Sequence, residues 1–158
     1  MSSQDIDTIK PILTKMEKKR IPILFHTNER LGHSYPGKGT TPLERFYEFI
    51  LSFPNLPILL GHWGGGLPFY ELMPEVSKTM TNVYYDTAAS PFLYSKKIYA
   101  IVSEIVGVRK ILFGTDFPLL SPRRYFQELE ESGLSKEDQE KILGLNFLRL
   151  FGSDRKVS

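Results

Sequence analysis

Residues 21–30 read IPILFHTNER, and the reading of this stretch decides the fold. Four of its first five residues are Ile, Leu or Phe, and the run stops at His26 with a polar tail behind it. Such a run predicts a strand buried on both faces, as in a parallel sheet covered by helices, with one imidazole delivered to its open end. Three similar runs follow at 57–61 (PILLG), 82–86 (NVYYD) and 110–115 (KILFGT). Helix-like segments alternate with them, which predicts βα units around one parallel sheet.

The helices announce themselves by their starts. Residues 4–19 predict a helix ahead of the first strand. In TPLE (41–44), Thr41 is the expected N-cap, Pro42 the first helical residue and Glu44 the capping-box acid. SPRR at 121–124 repeats the Ser-Pro device, and SKED at 135–138 should cap a last helix that stops near Gly152. No linker or low-complexity segment divides the chain. The expectation is a single α/β domain over residues 1–158, a helix followed by four βα units.

Composition removes several function classes. The 158 residues are 41% hydrophobic and 24% charged, ordinary for a globular protein. There is no cysteine, so any metal site must use His, Asp or Glu. The net charge of +2 comes from basic clusters separated by acids, without the continuous basic face that nucleic acid requires. No apolar run approaches the ~18 residues of a membrane span, and the N-terminus lacks a secretory apolar stretch. A cytoplasmic protein with no nucleic-acid or membrane partner is expected.

Chemistry in parallel α/β folds gathers at the carboxyl ends of the strands. Four candidates stand there: His26, His62 in LLGHWGGG, Asp86 in VYYDTAAS and Asp116 in LFGTDFP. Each has a plainer explanation, as a hydrogen-bonded histidine or a turn-capping aspartate. Asp86 is the weakest of them. Taken together, two imidazoles and a carboxylate could converge on one divalent metal and activate water, with His62 and Asp116 as acid/base groups. WGGG after His62 suggests a tight turn opening a helix, with amide groups facing a substrate. Glu29, His33 and Trp63 are candidate substrate contacts, with Arg30, Tyr35 and Lys38 close by in sequence. The GxGK look of residues 32–39 (GHSYPGKG) is not a phosphate loop, since it lacks the spacing and the Ser/Thr-led helix that should follow. A doubly wound nucleotide-binding sheet is a competing reading. It lacks GxGxxG after the first strand, and a sequential strand order would exclude it.

The segments IPILFHTNE, FPNLPILLGHWGGGLPF, NVYYDTAAS, KILFGTDFP and EKILGLNFLRLFG resemble the amidohydrolase-related, metal-dependent hydrolases with TIM-barrel folds. That group includes aminocarboxymuconate-semialdehyde decarboxylase and related aromatic-acid decarboxylases. The resemblance spans residues 5–152 and implies strands five to eight of the barrel. It makes His26 a metal ligand, His62 an acid/base group or second-metal ligand, and Asp116 a metal ligand that activates water. The implied cofactor is a divalent metal, zinc first, with manganese or iron as alternatives. The implied reaction is hydrolysis or decarboxylation of a small organic acid or carbonyl compound.

One departure matters. The family's first strand carries a His-x-His pair, and no His-x-His occurs in this sequence. A whole barrel takes ~250 residues. The expected architecture is therefore the C-terminal half of such a barrel, a partial TIM barrel. A homodimer, or a partner chain supplying the first half, is expected to complete it. The alternative is a catalytically inactive half-barrel acting as an interaction subunit.

Overall fold

The computed structural model describes residues 3–32 and 34–152, with side chains from Thr8 onward. Four short strands carry the fold: β1 (Ile23–Phe25), β2 (Ile58–Leu60), β3 (Val83–Asp86) and β4 (Ile111–Leu112). They form one parallel sheet in the order β1-β2-β3-β4. The order is sequential, which excludes the doubly wound alternative and matches consecutive strands of a barrel. Helix α1 (Ser3–Lys18) precedes β1, and α2 (Leu43–Ser52) links β1 to β2. A turn segment His62–Leu72 and α3 (Pro74–Thr79) lead to β3. Helices α4 (Ser90–Leu93) and α5 (Lys97–Val106) lead to β4. Then come α6 (Pro122–Glu130), α7 (Lys136–Glu140), a π-helical turn over Lys141–Leu145, and α8 (Asn146–Phe151).

Register explains which side chains meet. Ile23, Ile58 and Val83 are aligned across the sheet, as are Phe25, Leu60 and Tyr85. Successive residues of a strand alternate faces. These two rows therefore share one face, and they pack against Phe46, Phe49 and Ile50 of α2 and Leu13 of α1. Edge-on aromatic contacts join Phe25 to Phe46 and Phe49. The intervening row, Leu24, Leu59 and Tyr84, lies on the other face. Leu59 and Tyr84 are half-buried there, and Leu24 is 61% exposed. A second apolar cluster, Trp63, Ile98, Tyr99, Val102, Ile111, Leu129 and Ile142, ties α5, α6 and the C-terminal helices to β4. Asn146 Nδ2 donates to the carbonyls of Val108 and Ile111 at 2.8 Å each, pinning α8 beneath β4.

Of the capping expectations one holds in full: Ser135 accepts the Asp138 N–H at 3.1 Å. Ser121 takes the cap position ahead of Pro122 in α6, but its side chain makes no cap bond. Thr41, however, does not cap α2. Pro42 sits at the cap position with extended backbone (φ −70°, ψ 152°), so helical geometry begins one residue later, at Leu43.

WGGG does not open an ordinary helix either. His62, Trp63, Gly64, Gly65 and Gly66 all have positive φ, at 54°, 55°, 62°, 60° and 92°. This is a left-handed turn, costly for L-residues and cheap for glycine. Close packing also requires two of the glycines. A Cβ on Gly64 would lie 2.8 Å from the Tyr85 ring, and one on Gly65 would lie 2.6 Å from the Asn28 carbonyl oxygen. Gly65→Ala is therefore expected to cost about 2–4 kcal/mol, from strain plus a clash with backbone that has nowhere to go. Gly66→Ala, whose Cβ would meet only the Tyr94 hydroxyl at 3.9 Å, should cost about 1 kcal/mol. Urea denaturation of the two variants reads the difference.

Candidate active site

The strand ends are tied to one another by polar side chains at or just beyond each strand. Thr27, buried one residue after His26, donates its hydroxyl to the Gly61 carbonyl and so joins the ends of β1 and β2. Asp86 Oδ1 accepts the backbone N–H of His62 at 2.8 Å and that of Ala88 at 3.0 Å, joining β3 to β2. Thr87 Oγ1 accepts the Gly114 N–H at 3.0 Å and donates to the Gly114 carbonyl at 2.9 Å, joining β3 to β4. The Tyr125 hydroxyl accepts the Ala89 N–H at 2.9 Å and donates to the Thr115 carbonyl at 2.6 Å, fixing the turn that carries Asp116.

These bonds set the imidazoles. His62 is buried, and its Nδ1 lies 3.1 Å from the Ala88 carbonyl oxygen, which can only accept. Nδ1 therefore carries the proton. Its Nε2 lies 3.2 Å from His26 Nδ1, with the rings edge to face at 4.8 Å. With both rings neutral, His26 Nδ1–H donates to His62 Nε2, and His26 Nε2 keeps its lone pair. Asp116 is exposed in a turn with φ 59°, its carbonyl accepting the Leu119 N–H at 2.9 Å.

His26, His62 and Asp116 line one cavity of about 450 Å³. Its other walls are mostly apolar: Pro36, Ala89, Phe92, Leu93 and Leu119, with Tyr35. Burial raises the Asp86 carboxyl above its usual value. The two backbone N–H bonds and nearby His62 pull the other way, and Asp116 adds a smaller like-charge push. Burial likewise pushes the Tyr125 phenol up to about 12, so it stays protonated and keeps donating to Thr115.

The expected convergence of two imidazoles and a carboxylate on a single ion is not the arrangement seen. His62 Nε2 and His26 Nδ1 are engaged with each other. Among the described residues, no three His, Asp or Glu side chains are grouped to hold a metal. His26 Nε2 and the Asp116 carboxylate are of the right chemistry, but a catalytic zinc site takes about three protein ligands. These donors do not make a metal site by themselves.

Of the substrate candidates, Trp63 and Glu29 do not line the cavity with the imidazoles. Trp63 is fully buried, its Nε1–H donating to Ser90 Oγ at 2.5 Å and its ring edge-on to Tyr99 at 5.2 Å. It is a core residue: the left-handed turn points successive side chains in different directions, so that His62 lines the cavity while Trp63 joins the apolar cluster of α5 and β4. Glu29 lies beside the cavity rather than in its wall, lining adjoining clefts with Arg30. It faces the Tyr94 hydroxyl, whose ionisation is pushed up by burial and by that carboxylate. His33 lies outside the described residues. Thr27, Thr87 and Tyr125 were not legible as site residues: a lone hydroxyl beyond a strand carries no spacing signal.

Among the described residues, no helix is long and apolar enough to cross a membrane.

Comparison with known proteins agrees with this architecture. Gamma-resorcylate decarboxylase of Polaromonas sp. strain JS666 is 28% identical over 120 residues, covering 65% of this chain and 36% of that enzyme. The structure of 5-carboxyvanillate decarboxylase from Sphingomonas paucimobilis superposes with a TM-score of 0.72 at 18% identity, over 89% of this chain and 52% of that one. Dihydroxybenzoic acid decarboxylase from Polaromonas sp. JS666, solved with manganese and the inhibitor 2-nitroresorcinol, gives 0.68 at 19% identity, over 89% and 52%. The chain thus spans about half the length of these solved enzymes and about a third of the curated relative. The structural likenesses carry the fold. The amidohydrolase family model matches residues 2–153, nearly every position described above, and on that match the chain belongs to the amidohydrolase family.

Proposed function

We propose that this mouth is half of the active site of a divalent-metal-dependent enzyme that decarboxylates a small hydroxylated aromatic acid. The observation that carries the reading is the cavity itself. One wall holds His26, His62 and Asp116, and the rest is apolar enough to receive an aromatic ring. Its volume of about 450 Å³ suits a single substituted benzoate. The decarboxylase relatives support the choice of reaction over hydrolysis. A metal such as manganese or zinc would be held by His26 and Asp116 together with donors from outside the described residues. It would supply charge neutralisation for the bound acid.

What this chain's residues do is narrower. The proton between His26 Nδ1 and His62 Nε2 stands at the cavity wall. Decarboxylation breaks the ring-carboxyl bond, releases carbon dioxide and needs one proton at the ring carbon; the pair can deliver it from a form carrying one extra proton, one ring as imidazolium, returning to two neutral rings. A second reading is favoured by the absence of a three-donor group among the described residues: a half-barrel without turnover, serving as an interaction subunit.

Metal content distinguishes them. Loaded with manganese or zinc in the presence of a polypeptide that supplies the remaining donors, and assayed by elemental mass spectrometry, His26→Ala and Asp116→Ala should each weaken metal retention at least tenfold, about 1.4 kcal/mol. A panel of hydroxybenzoates followed for carbon dioxide release tests the reaction. Unchanged metal content in both variants would remove the metal reading and leave the interaction subunit.

A further inference from the structure

We propose that two adjoining clefts beside the mouth form one binding site for a free α-amino acid with an apolar side chain, seated on Glu29 and Arg30. The site lies outside the cavity that His26, His62 and Asp116 share, and it stands whatever reaction that cavity performs.

Glu29 supplies the first observation. Its side chain is half-buried, and its Oε1 is sealed from water and meets no donor among the described residues. The Tyr94 hydroxyl faces this carboxylate, and burial together with that charge pushes the phenol's ionisation up. A carboxylate short of donors is poorly solvated, and a cationic N–H donor offsets the deficit better than a neutral one. Glu29 and Tyr94 both line an open cleft of about 760 Å³. Gly65 and Gly66 border it too and, lacking side chains, leave room there for a ligand. An ammonium group is what this end of the cleft lacks.

The next residue carries the opposite charge. Arg30 lines the same cleft, is exposed, and has no ion-pair partner among the described residues. A bare amine entering the cleft meets the repulsion of Arg30, and a bare carboxylate meets that of Glu29. A zwitterion with both charges on one carbon answers each of them.

A second cleft, of about 380 Å³, shares Arg30, Leu43 and Tyr70 with the first. Beyond the shared residues it is an apolar pit, with Leu67 and Val76 buried in its wall beside Met73 and Tyr47. Glu44 and Glu48 also border it, Glu48 paired with Arg45 at 2.8 Å. The pit therefore accepts an apolar side chain and turns away an acidic one. Glu29, Arg30 and the pit match, in that order, the ammonium, the carboxylate and the side chain of one amino acid.

NMR titration of the full chain with L-phenylalanine tests the site, with phenethylamine, hydrocinnamate and L-glutamate as partial probes. We expect L-phenylalanine to bind with a Kd of about 1 mM or lower, and each partial probe at least tenfold more weakly. The shifts should fall on the amides of Gly65, Gly66 and Tyr70. Glu29→Gln and Arg30→Met should each weaken L-phenylalanine at least tenfold with the unfolding midpoint unchanged. Met73 is 44% exposed, so Met73→Trp should narrow the pit without disturbing the core and weaken binding as much. Phenethylamine binding as tightly as L-phenylalanine would overturn the zwitterion. Shifts confined to Gly37, Ala89 and Asp116 would put the probe in the mouth and overturn the site, and so would an affinity unchanged in both Glu29→Gln and Arg30→Met.

Discussion

Glu71→Leu will destabilise the protein by about 3–5 kcal/mol, as expected when a buried charge pair loses one partner. Glu71 is 2% exposed and Lys110 17%, and the Lys110 Nζ donates to both Glu71 oxygens, at 2.8 and 2.6 Å. The Tyr85 hydroxyl donates to Oε1 of the same carboxylate at 2.7 Å. One side chain thus joins the segment after β2 to β3 and to the entry of β4. Its removal strands an ammonium and a phenol together. Glu71→Leu combined with Lys110→Met should recover most of the loss, leaving only the unmet Tyr85 hydroxyl, about 1–3 kcal/mol. Adding Tyr85→Phe should recover that as well. The sign with pH is fixed. Burial already holds Lys110 below the usual lysine value, despite Glu71. Without Glu71 the depression deepens, so between the folded and free values the unfolded state binds more protons and stability rises with pH. Urea midpoints at neutral and mildly alkaline pH should converge on wild type as pH increases; a deficit that grows with pH would contradict the assignment.

Trp63→Ala will cost a further large increment, about 3–5 kcal/mol, from loss of a fully buried indole. Trp63→Phe should cost less, because it keeps the packing against Tyr99 and loses chiefly the bond to Ser90. A substrate contact would behave in the opposite way, weakening ligand binding with little effect on the unfolding midpoint. The chain has a single tryptophan, so its own emission follows unfolding in the wild type, and circular dichroism serves for the variants. An unfolding midpoint for Trp63→Ala equal to wild type would return this residue to the mouth.

These two cases mark the boundary of what the sequence could tell. The strand runs at 21–26, 57–61, 82–86 and 110–115 each contain the strand observed, because apolar content on both faces is a local property. Ser135 was legible as a cap for the same reason: its partner is three residues away. Trp63 misled because direction depends on backbone handedness, and the glycines that permit a left-handed turn also fit several other turns. Glu71 and Lys110 meet across 39 residues, and His26 and His62 across 36, with no spacing rule to announce either. The grouping of His26, His62 and Asp116 around one cavity follows from parallel topology and could be foreseen. Their hydrogen-bonding could not, since it turns on the Ala88 carbonyl three residues past the end of β3's apolar run.

The bonds from Thr27, Asp86, Thr87 and Tyr125 stay within this half of the cylinder and borrow nothing from beyond it. The two histidines are consequently oriented by this chain's own contacts. A ligand entering the cavity meets a preset pair, so little of its binding energy is spent on ordering those rings.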